Sequence, residues 1–542
     1  MTVFLGCTLA LSAQDQNKQE KVVVTGTPAP QPAPPRPDST TEGTVTVNGQ
    51  AIEYRAVAGT LTVGSSDPQD ATLGLDGQIL PDTGEKPLDP AKPDEAPATA
   101  RIFYVAYFKK GAPSESRPVT FLYNGGPGSS TMWLHMGSFG PRRVVTTDTL
   151  HDAGAPYKIV NNAYSLLDAS DLVFIDAPGT GFSRIMGKDK EKAFWGTDQD
   201  AHAFERFIRR FLTKYERWNS PKYLFGESYG TPRSAVLSSM LHNVDLNGIV
   251  LLSAILSFDN NVDGPRWNPG IDQPYALALP TFAATAYFHH KLPQQPAALE
   301  PFLKTVEEFA MSEYMSALLA GSELPEARKQ AVAAKLHLYT GLPVAFLLKA
   351  NLRVSGGAFS KNLQDDQGLT TGRLDTRYQG PDYNRLSEEA EYDPQSSAVS
   401  SAYTTAINQY LRAELKYGEV QTYKPSVYGD GNFQWDLRHQ SPGGPPAGSA
   451  FSGTNVMPDL AIAMTTNPKM KIFLAGGYYD LATPFFEGIF EMHHLPMPSN
   501  LQSNISYHYY EAGHMIYVNE TALKQFHDDV ASFIKGTTET SK

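Results

Sequence analysis

The stretch Lys222-Tyr223-Leu224-Phe225-Gly226-Glu227-Ser228-Tyr229-Gly230 has residue types and spacing suited to covalent chemistry. A short apolar run that suits a buried strand leads into Gly-x-Ser-x-Gly, and from Arg233 onward Val236, Leu237, Met240 and Leu241 recur at helical spacing. Strand, sharp turn and helix are the setting of a nucleophile elbow, in which small residues flank a strained serine and expose its hydroxyl. Gly226 and Gly230 are those small residues. The helix N-terminus behind the turn favours negative charge developing there. A serine hydroxyl is a weak nucleophile, so an imidazole must take its proton and a carboxylate must hold that imidazole. Asp480 and His514 are of the right types, and each stands just past a strand-like run, 470–475 for the acid and 505–510 for the base. Asp176 also ends an apolar run but precedes the serine, and reads as a turn former; His508 lies inside a run and reads as a packed side chain. A tetrahedral intermediate needs amide donors as well. One is the N–H of Tyr229, the residue after the nucleophile, and the second is expected from the glycine-rich turn Asn124-Gly125-Gly126-Pro127-Gly128.

The elements that must position these residues alternate between strands and helices. Runs at 119–123, 172–176, 222–225, 248–252, 470–475 and 505–510 read as strands, and 198–215 reads as a helix with Phe204, Phe207, Ile208, Phe211 and Leu212 on one face and Thr197 or Asp198 as N-cap. Such alternation implies a parallel sheet covered on both faces. Serine, aspartate and histidine, in that chain order and each past a strand, are the arrangement of an α/β-hydrolase. The expected fold class is therefore α/β, with a mostly parallel central sheet, helices on both faces and a largely helical insertion, or cap, over the active site. Residues 1–13 read as a signal-peptide-like segment and 14–42, polar and then proline-rich, as a disordered linker. The runs around Asn48-Gly49 read as a hairpin. The catalytic domain is expected over 43–260 and 456–536. The insertion is expected over 261–455, with helices at 296–320, 325–349 and 398–417 and an irregular stretch at 351–397. A last helix is expected at about 520–535. A chain beginning at Thr41 is expected to fold and keep full activity.

Composition narrows the partners. A formal net charge of −12 over 542 residues argues against nucleic acid, which wants a basic face. No run of about 18 apolar residues suggests a membrane span. Cys7 is the only cysteine, so no internal disulfide and no zinc site needing two cysteines is possible. His289-His290 and His493-His494 are adjacent pairs without the i, i+4 spacing that places two ligands on one helix face. No metal and no cofactor is expected.

Four motifs together carry a family resemblance. Asn124-Gly125-Gly126-Pro127-Gly128-Ser129-Ser130, Asp176-x-Pro178-Gly179-x-Gly181-Phe182-Ser183, Gly226-Glu227-Ser228-Tyr229-Gly230 and Gly513-His514-Met515 resemble, in order, those of the serine carboxypeptidases (peptidase family S10), over about 100 to 535. The resemblance implies that Gly126 supplies the second oxyanion N–H. It also implies that Asn124, the N–H of Gly125 and Glu227 bind the substrate's terminal carboxylate, and that Met515 borders the leaving-group pocket. A carboxyl group binds a carboxylate only when it carries or shares a proton. The sequence departs from the family where a second glutamate would stand, at Ser138, so no carboxylate there raises the pKa of Glu227. The usual cysteine before Ser129-Ser130 is missing, Thr231 follows the elbow in place of a glycine, and Ser253-Ala254-Ile255 replaces Gly-Asn-Gly.

The resemblance implies a secreted or periplasmic hydrolase that releases C-terminal residues from peptides through an acyl-enzyme. Ser138 keeps open an esterase or acyltransferase on the same scaffold. A binding protein on an inactive scaffold is the remaining alternative.

Overall fold

Asn48 and Gly49 both have positive φ, 47° and 77°, the backbone that a two-residue hairpin turn requires. They join strands β1 (Ser39–Val47) and β2 (Gln50–Gly64), paired antiparallel from Val47↔Gln50 to Ser39↔Ala58. The computed structural model describes residues 37–83, 95–265, 268–445 and 454–539. The signal-like segment 1–13 and most of the expected linker lie outside the described residues.

β1 begins inside the expected 14–42 linker, which is a correction. Ser39 to Glu42 are polar but pair through their backbone, and Val45 and Val47 turn inward to fix the register. The chain just before the strand is anchored too. Lys214 Nζ donates to Asp38 Oδ2 at 2.6 Å, and Ser39 Oγ donates to Leu415 O at 2.7 Å. A chain beginning at Thr41 lacks both contacts. It is expected to be about 1–3 kcal/mol less stable than one beginning at Pro37. Calorimetry of the two chains checks this; equal melting temperatures would show that neither contact contributes.

The remaining strands are β3 (Thr99–Lys109), β4 (Val119–Tyr123), β5 (Arg142–Val144), β6 (Ile159–Asn161), β7 (Asp171–Ile175), β8 (Arg184–Met186), β9 (Lys222–Glu227), β10 (Gly248–Leu252), β11 (Leu369–Thr371), β12 (Gln379–Pro381), β13 (Lys471–Gly477) and β14 (Ile505–Tyr510). The main sheet has the order β1-β2-β3-β7-β4-β9-β10-β13-β14, with β8 on the edge of β3. From β7 to β14 all neighbours are parallel, and β4, β7, β9 and β10 are buried along their whole length. This is an α/β-hydrolase sheet. After β4 the chain steps outward to β7 and then returns past β4 to β9. The carboxyl ends of β4 and β9 thus meet where the winding reverses, the place where open parallel sheets hold their ligands.

The helix that returns the chain to β9 runs Thr197–Lys214, and Phe204, Phe207, Ile208, Phe211 and Leu212 are buried as its periodicity requires. Its N-cap is Gly196, with no side-chain cap. The insertion supplies the missing partners, because Thr197 N–H donates to Asp436 O at 2.9 Å and the Asp198 carboxylate accepts from His439 and from Gln440 N–H.

The insertion's helices differ in detail from expectation. A helix at Gln273–Phe288, with Pro280 inside it, precedes the first expected one. The expected 296–320 helix is Leu299–Phe309 and Met315–Leu319 joined by a wide turn at Ala310–Tyr314. The expected 325–349 helix breaks at Gly341, whose φ is 71°, and resumes at Val344 after Pro343. The short hairpin β11–β12 lies in the stretch read as irregular. The expected 398–417 helix runs Pro394–Ala413, and the last helix Glu520–Glu539. The insertion's apolar core extends from Val262 to Leu363 and takes in Tyr479, Leu481 and Phe485, the neighbours of Asp480.

Candidate active site

Ser228 stands just past β9 with φ 60°, a left-handed backbone uncommon for a non-glycine residue. The turn is fastened on both sides. Ser228 N–H donates to Leu252 O at 2.9 Å, and Thr231 donates to Ser228 O through its N–H (2.8 Å) and its Oγ1 (2.7 Å). Gly226 must be small, since a Cβ there would lie 2.0 Å from Gly230 O. Thr231, a departure from the family pattern, also accepts from Ile255 N–H at 3.1 Å and so ties the elbow to the end of β10.

The glycine turn after β4 presses against this elbow. A Cβ on Gly125 would lie 2.3 Å from Tyr229 N. Arg233, one turn into the elbow helix, is buried; it donates to Asn124 O at 2.8 Å and pairs with Asp200 at 2.5 Å. Asp176 Oδ1 accepts from Thr131 N–H at 2.8 Å and holds the far side of the same turn. Burial pushes Asp176 up to about 6. Among the described residues, the N–H groups of Gly126 and Tyr229 donate no hydrogen bond. Two adjoining backbone donors are thereby left to an incoming oxygen.

Asp480 is fully buried after β13. Its Oδ1 accepts from the N–H groups of Ala482 (2.9 Å) and Thr483 (3.0 Å), and its Oδ2 from Thr483 Oγ1 (2.7 Å). Oδ2 also meets His514 Nδ1 at 2.8 Å. These donors fix the carboxylate, which in turn fixes the ring. Burial opposes charge on His514, but Asp480 and Glu227 outweigh it and hold the imidazole above its ordinary range. Ser253 Oγ donates to His514 O at 2.9 Å. Among the described residues no hydrogen bond joins Ser228 Oγ to His514 Nε2; such contacts tighten only when substrate is bound. His508 stacks on Phe473 at 4.0 Å and faces Asp529.

The segment Arg373–Arg377 of the insertion clasps both loops, which the sequence did not disclose. Leu481 N–H donates to Arg373 O (3.0 Å), Thr376 N–H to Tyr479 O (2.9 Å) and His514 N–H to Leu374 O (2.6 Å). The segment is stiffened by Arg377, which binds the buried Asp375 at 2.6 Å and Asp148 at 3.0 Å. Arg377→Ala leaves Asp375 buried without its cation, and is expected to cost roughly 3–5 kcal/mol. A urea midpoint unchanged from wild type would refute this.

Glu227 lies beside Ser228 and is almost completely buried. Both of its oxygens accept from Tyr517 Oη, at 3.0 and 2.9 Å. Burial raises Glu227 to about 7 against the lowering effect of His514, Tyr517 and Asn124. Ser138 removes the carboxylate neighbour that would raise Glu227 further, and burial supplies the rise that is present. Ser138 Oγ is turned to Leu134 O at 2.6 Å. Met515 is buried next to His514. On the opposite side Tyr229 meets Trp435 edge-on at 5.1 Å, and a Cβ on Gly126 would lie 2.4 Å from Tyr428 Oη. The insertion therefore supplies an aromatic wall. Among the described residues no group of three or more His, Cys, Asp or Glu side chains is arranged to hold a metal ion. No helix there is long and apolar enough to cross a membrane.

Residues 94–260 match the family model for serine carboxypeptidase. That match covers less than a third of the 542 residues. It contains Asn124, Gly125, Gly126, Glu227, Ser228 and Tyr229, whereas Asp480 and His514 lie beyond it. The matched segment is shorter than the 100–535 span that the four motifs imply, and it ends where the insertion begins. The chain is 25% identical over 197 residues to serine carboxypeptidase-like 28 of Arabidopsis thaliana, covering 33% of this chain and 40% of that one. It is 32% identical over 141 residues to the pheromone-processing carboxypeptidase of Yarrowia lipolytica (25% and 21%). It is 30% identical over 151 residues to a carboxypeptidase Y homolog of Arthroderma benhamiae (28% of each). The chain thus spans between 21% and 40% of these serine carboxypeptidase relatives' lengths. Among solved structures it is similar to a prohormone-processing carboxypeptidase from Saccharomyces cerevisiae, at 13% identity and a TM-score of 0.47, over 89% of this chain and 91% of that one.

Proposed function

We propose that this chain is a serine-type carboxypeptidase acting through an acyl-enzyme. The observation that carries the reading is the buried carboxyl of Glu227, adjoining Ser228 and facing His514. Ser228 Oγ attacks the carbonyl carbon of the last peptide bond while its proton passes to His514 Nε2. The N–H groups of Gly126 and Tyr229 take the oxyanion. The C–N bond then breaks, His514 returns the proton to the leaving amine, and water repeats the sequence on the ester. Asp480 holds the ring so that Nδ1 keeps its hydrogen and Nε2 is free to accept. Glu227, Asn124 and the N–H of Gly125 receive the substrate's terminal carboxylate, and Met515 borders the leaving residue.

The pH dependence follows from the pair Glu227 and His514, which share a field and titrate as a unit. The productive state holds one proton, on Glu227. A second proton on His514 stops turnover at low pH. Loss of the last proton leaves Glu227 ionised, repelling the substrate carboxylate, so KM rises as pH climbs through about 7. Glu227→Gln keeps a donor and cannot ionise. It is expected to flatten the alkaline rise in KM for a blocked dipeptide acid and to change the corresponding amide or ester little. Equal responses of acid and amide would remove the carboxylate-reading role.

Ser138, in place of a second carboxylate, favours a second reading, an esterase or acyltransferase with the same nucleophile; relative rates on the dipeptide acid and its amide separate the two. Labelling by a fluorophosphonate separates both from an inactive binding protein. The signal-like residues 1–13 support export to the periplasm or the outside, which N-terminal sequencing of exported protein tests.

A further inference from the structure

Two phenols crowd the recognition carboxyl from elements that the motifs do not connect. Tyr517 reaches it from the short turn after His514, with its hydroxyl astride both carboxyl oxygens at 3.0 and 2.9 Å. One edge of its ring lies against Gly137, where a Cβ would be 2.5 Å from Cδ2, and Tyr403 Oη, from the helix Pro394–Ala413, would lie 2.5 Å from the same Cβ. A side chain at 137 would expel both phenols. Tyr517 and Glu227 are each about 98% buried, so a carboxyl without this donor would keep Asn124 but lose the one group that bridges both of its oxygens.

We infer that Tyr517 is a positioning residue for substrate recognition: its phenol fixes the two oxygens of Glu227 and sets the pH at which Glu227 gives up its proton. This rests on the carboxypeptidase reading. A donor that serves both oxygens stabilises the ionised carboxyl more than the protonated one. The other groups facing Glu227 are His514 and Asn124, which also favour ionisation, and Asp480 and Tyr403, which do not. Tyr517 therefore works, together with His514 and Asn124, against the burial that keeps Glu227 protonated, and so lowers the pH of the changeover. The consequence is opposite to that of a disabled site. Removing the hydroxyl should extend carboxylate binding to higher pH while loosening the geometry.

Tyr517→Phe retains the ring against Gly137. The expected result is an upward shift of about one pH unit in the midpoint of the KM rise for a blocked dipeptide acid, with KM below that midpoint up about two- to tenfold. kcat for a neutral ester should stay within about threefold. A ring-fluorinated tyrosine at 517, a stronger donor of nearly the same shape, should move the midpoint downward, and it keeps the test open if the phenylalanine chain folds poorly. In a Glu227→Gln background neither change should move any midpoint. Infrared titration of the protonated carboxyl band absent from Glu227→Gln reads the same shift without substrate. If the band shifts but dipeptide acid and amide never differ, the carboxypeptidase reading fails and the Tyr517 pairing stands. If acid and amide differ but neither midpoint moves, the inference on Tyr517 is overturned.

Discussion

Ser228→Ala is expected to abolish turnover by roughly four to six orders of magnitude while leaving the fold intact. The structure gives reasons for both halves. The backbone at 228 is held at φ 60° by bonds from Thr231 and to Leu252, all to main-chain atoms of Ser228 that alanine keeps. Ser228 Oγ supports no hydrogen bond within the described residues, so its loss orphans no partner. On the proposed mechanism the chemistry depends on it entirely, and Tyr229, the other hydroxyl of the turn, is buried against Trp435. Loss of fluorophosphonate labelling together with loss of peptidase rate, at unchanged melting temperature, is the expected pair of observations. Retention of a tenth of the wild-type rate, with contaminating enzyme excluded, would remove Ser228 as nucleophile.

What could be read from the sequence was local. The elbow announces itself within nine residues, because the glycines, the serine and the strand that leads in are contiguous. The pairing of Asp480 with His514 could be anticipated for the same reason, each standing a few residues past an apolar run. The groups that hold them could not. Arg233 read as the start of an amphipathic helix, yet its guanidinium anchors Asn124 O 109 residues away. Tyr517 lies 290 residues from Glu227, and nothing near it in the chain distinguishes it from an ordinary core tyrosine. Arg373–Arg377 fell in a polar stretch without periodicity, and its work is done by main-chain atoms, which side-chain patterns do not report. The N-cap of Thr197–Lys214 was misplaced for a related reason: a distant carbonyl, Asp436 O, satisfies the N–H that a local side chain was expected to take. The break at Gly341 and Pro343 is different. Glycine and then proline at a helix end is a visible stop signal, and the periodic apolar residues on either side masked it. β11 and β12, three residues each, are too short for alternation to show.

The insertion meets the loops of Asp480 and His514 through main-chain hydrogen bonds and meets Tyr229 through the Trp435 ring. Tyr479 and Leu481 belong to the insertion's apolar core, and Leu374 O receives the N–H of His514 itself. Ser228, by contrast, is held by β10 and its own helix. Movement of the insertion would therefore displace Asp480 and His514 against a fixed serine.

Asp480→Asn carries the second large effect, and its sign can be worked through atom by atom. Oδ1 takes the N–H groups of Ala482 and Thr483, and an asparagine oxygen in that place keeps both. The amide nitrogen then replaces Oδ2 and points two hydrogens at Thr483 Oγ1 and His514 Nδ1. Thr483 can reverse its hydroxyl and accept. The imidazole can accept only by moving its hydrogen to Nε2, the atom that must receive the proton of Ser228. The rate is expected to fall roughly ten-thousandfold with the fold retained. The pH profile should change as well. Burial opposes charge on His514, and Asp480 is the main group that overcomes it; with a neutral side chain at 480 burial prevails, and the acid limb of the residual activity should move to lower pH. His508→Ala is the companion measurement. That ring stacks on Phe473 and faces Asp529, so its removal should cost stability and leave the rate within a few-fold. Asp480→Asn retaining a tenth of wild-type activity, or His508→Ala losing it while still folded, would reassign the general base.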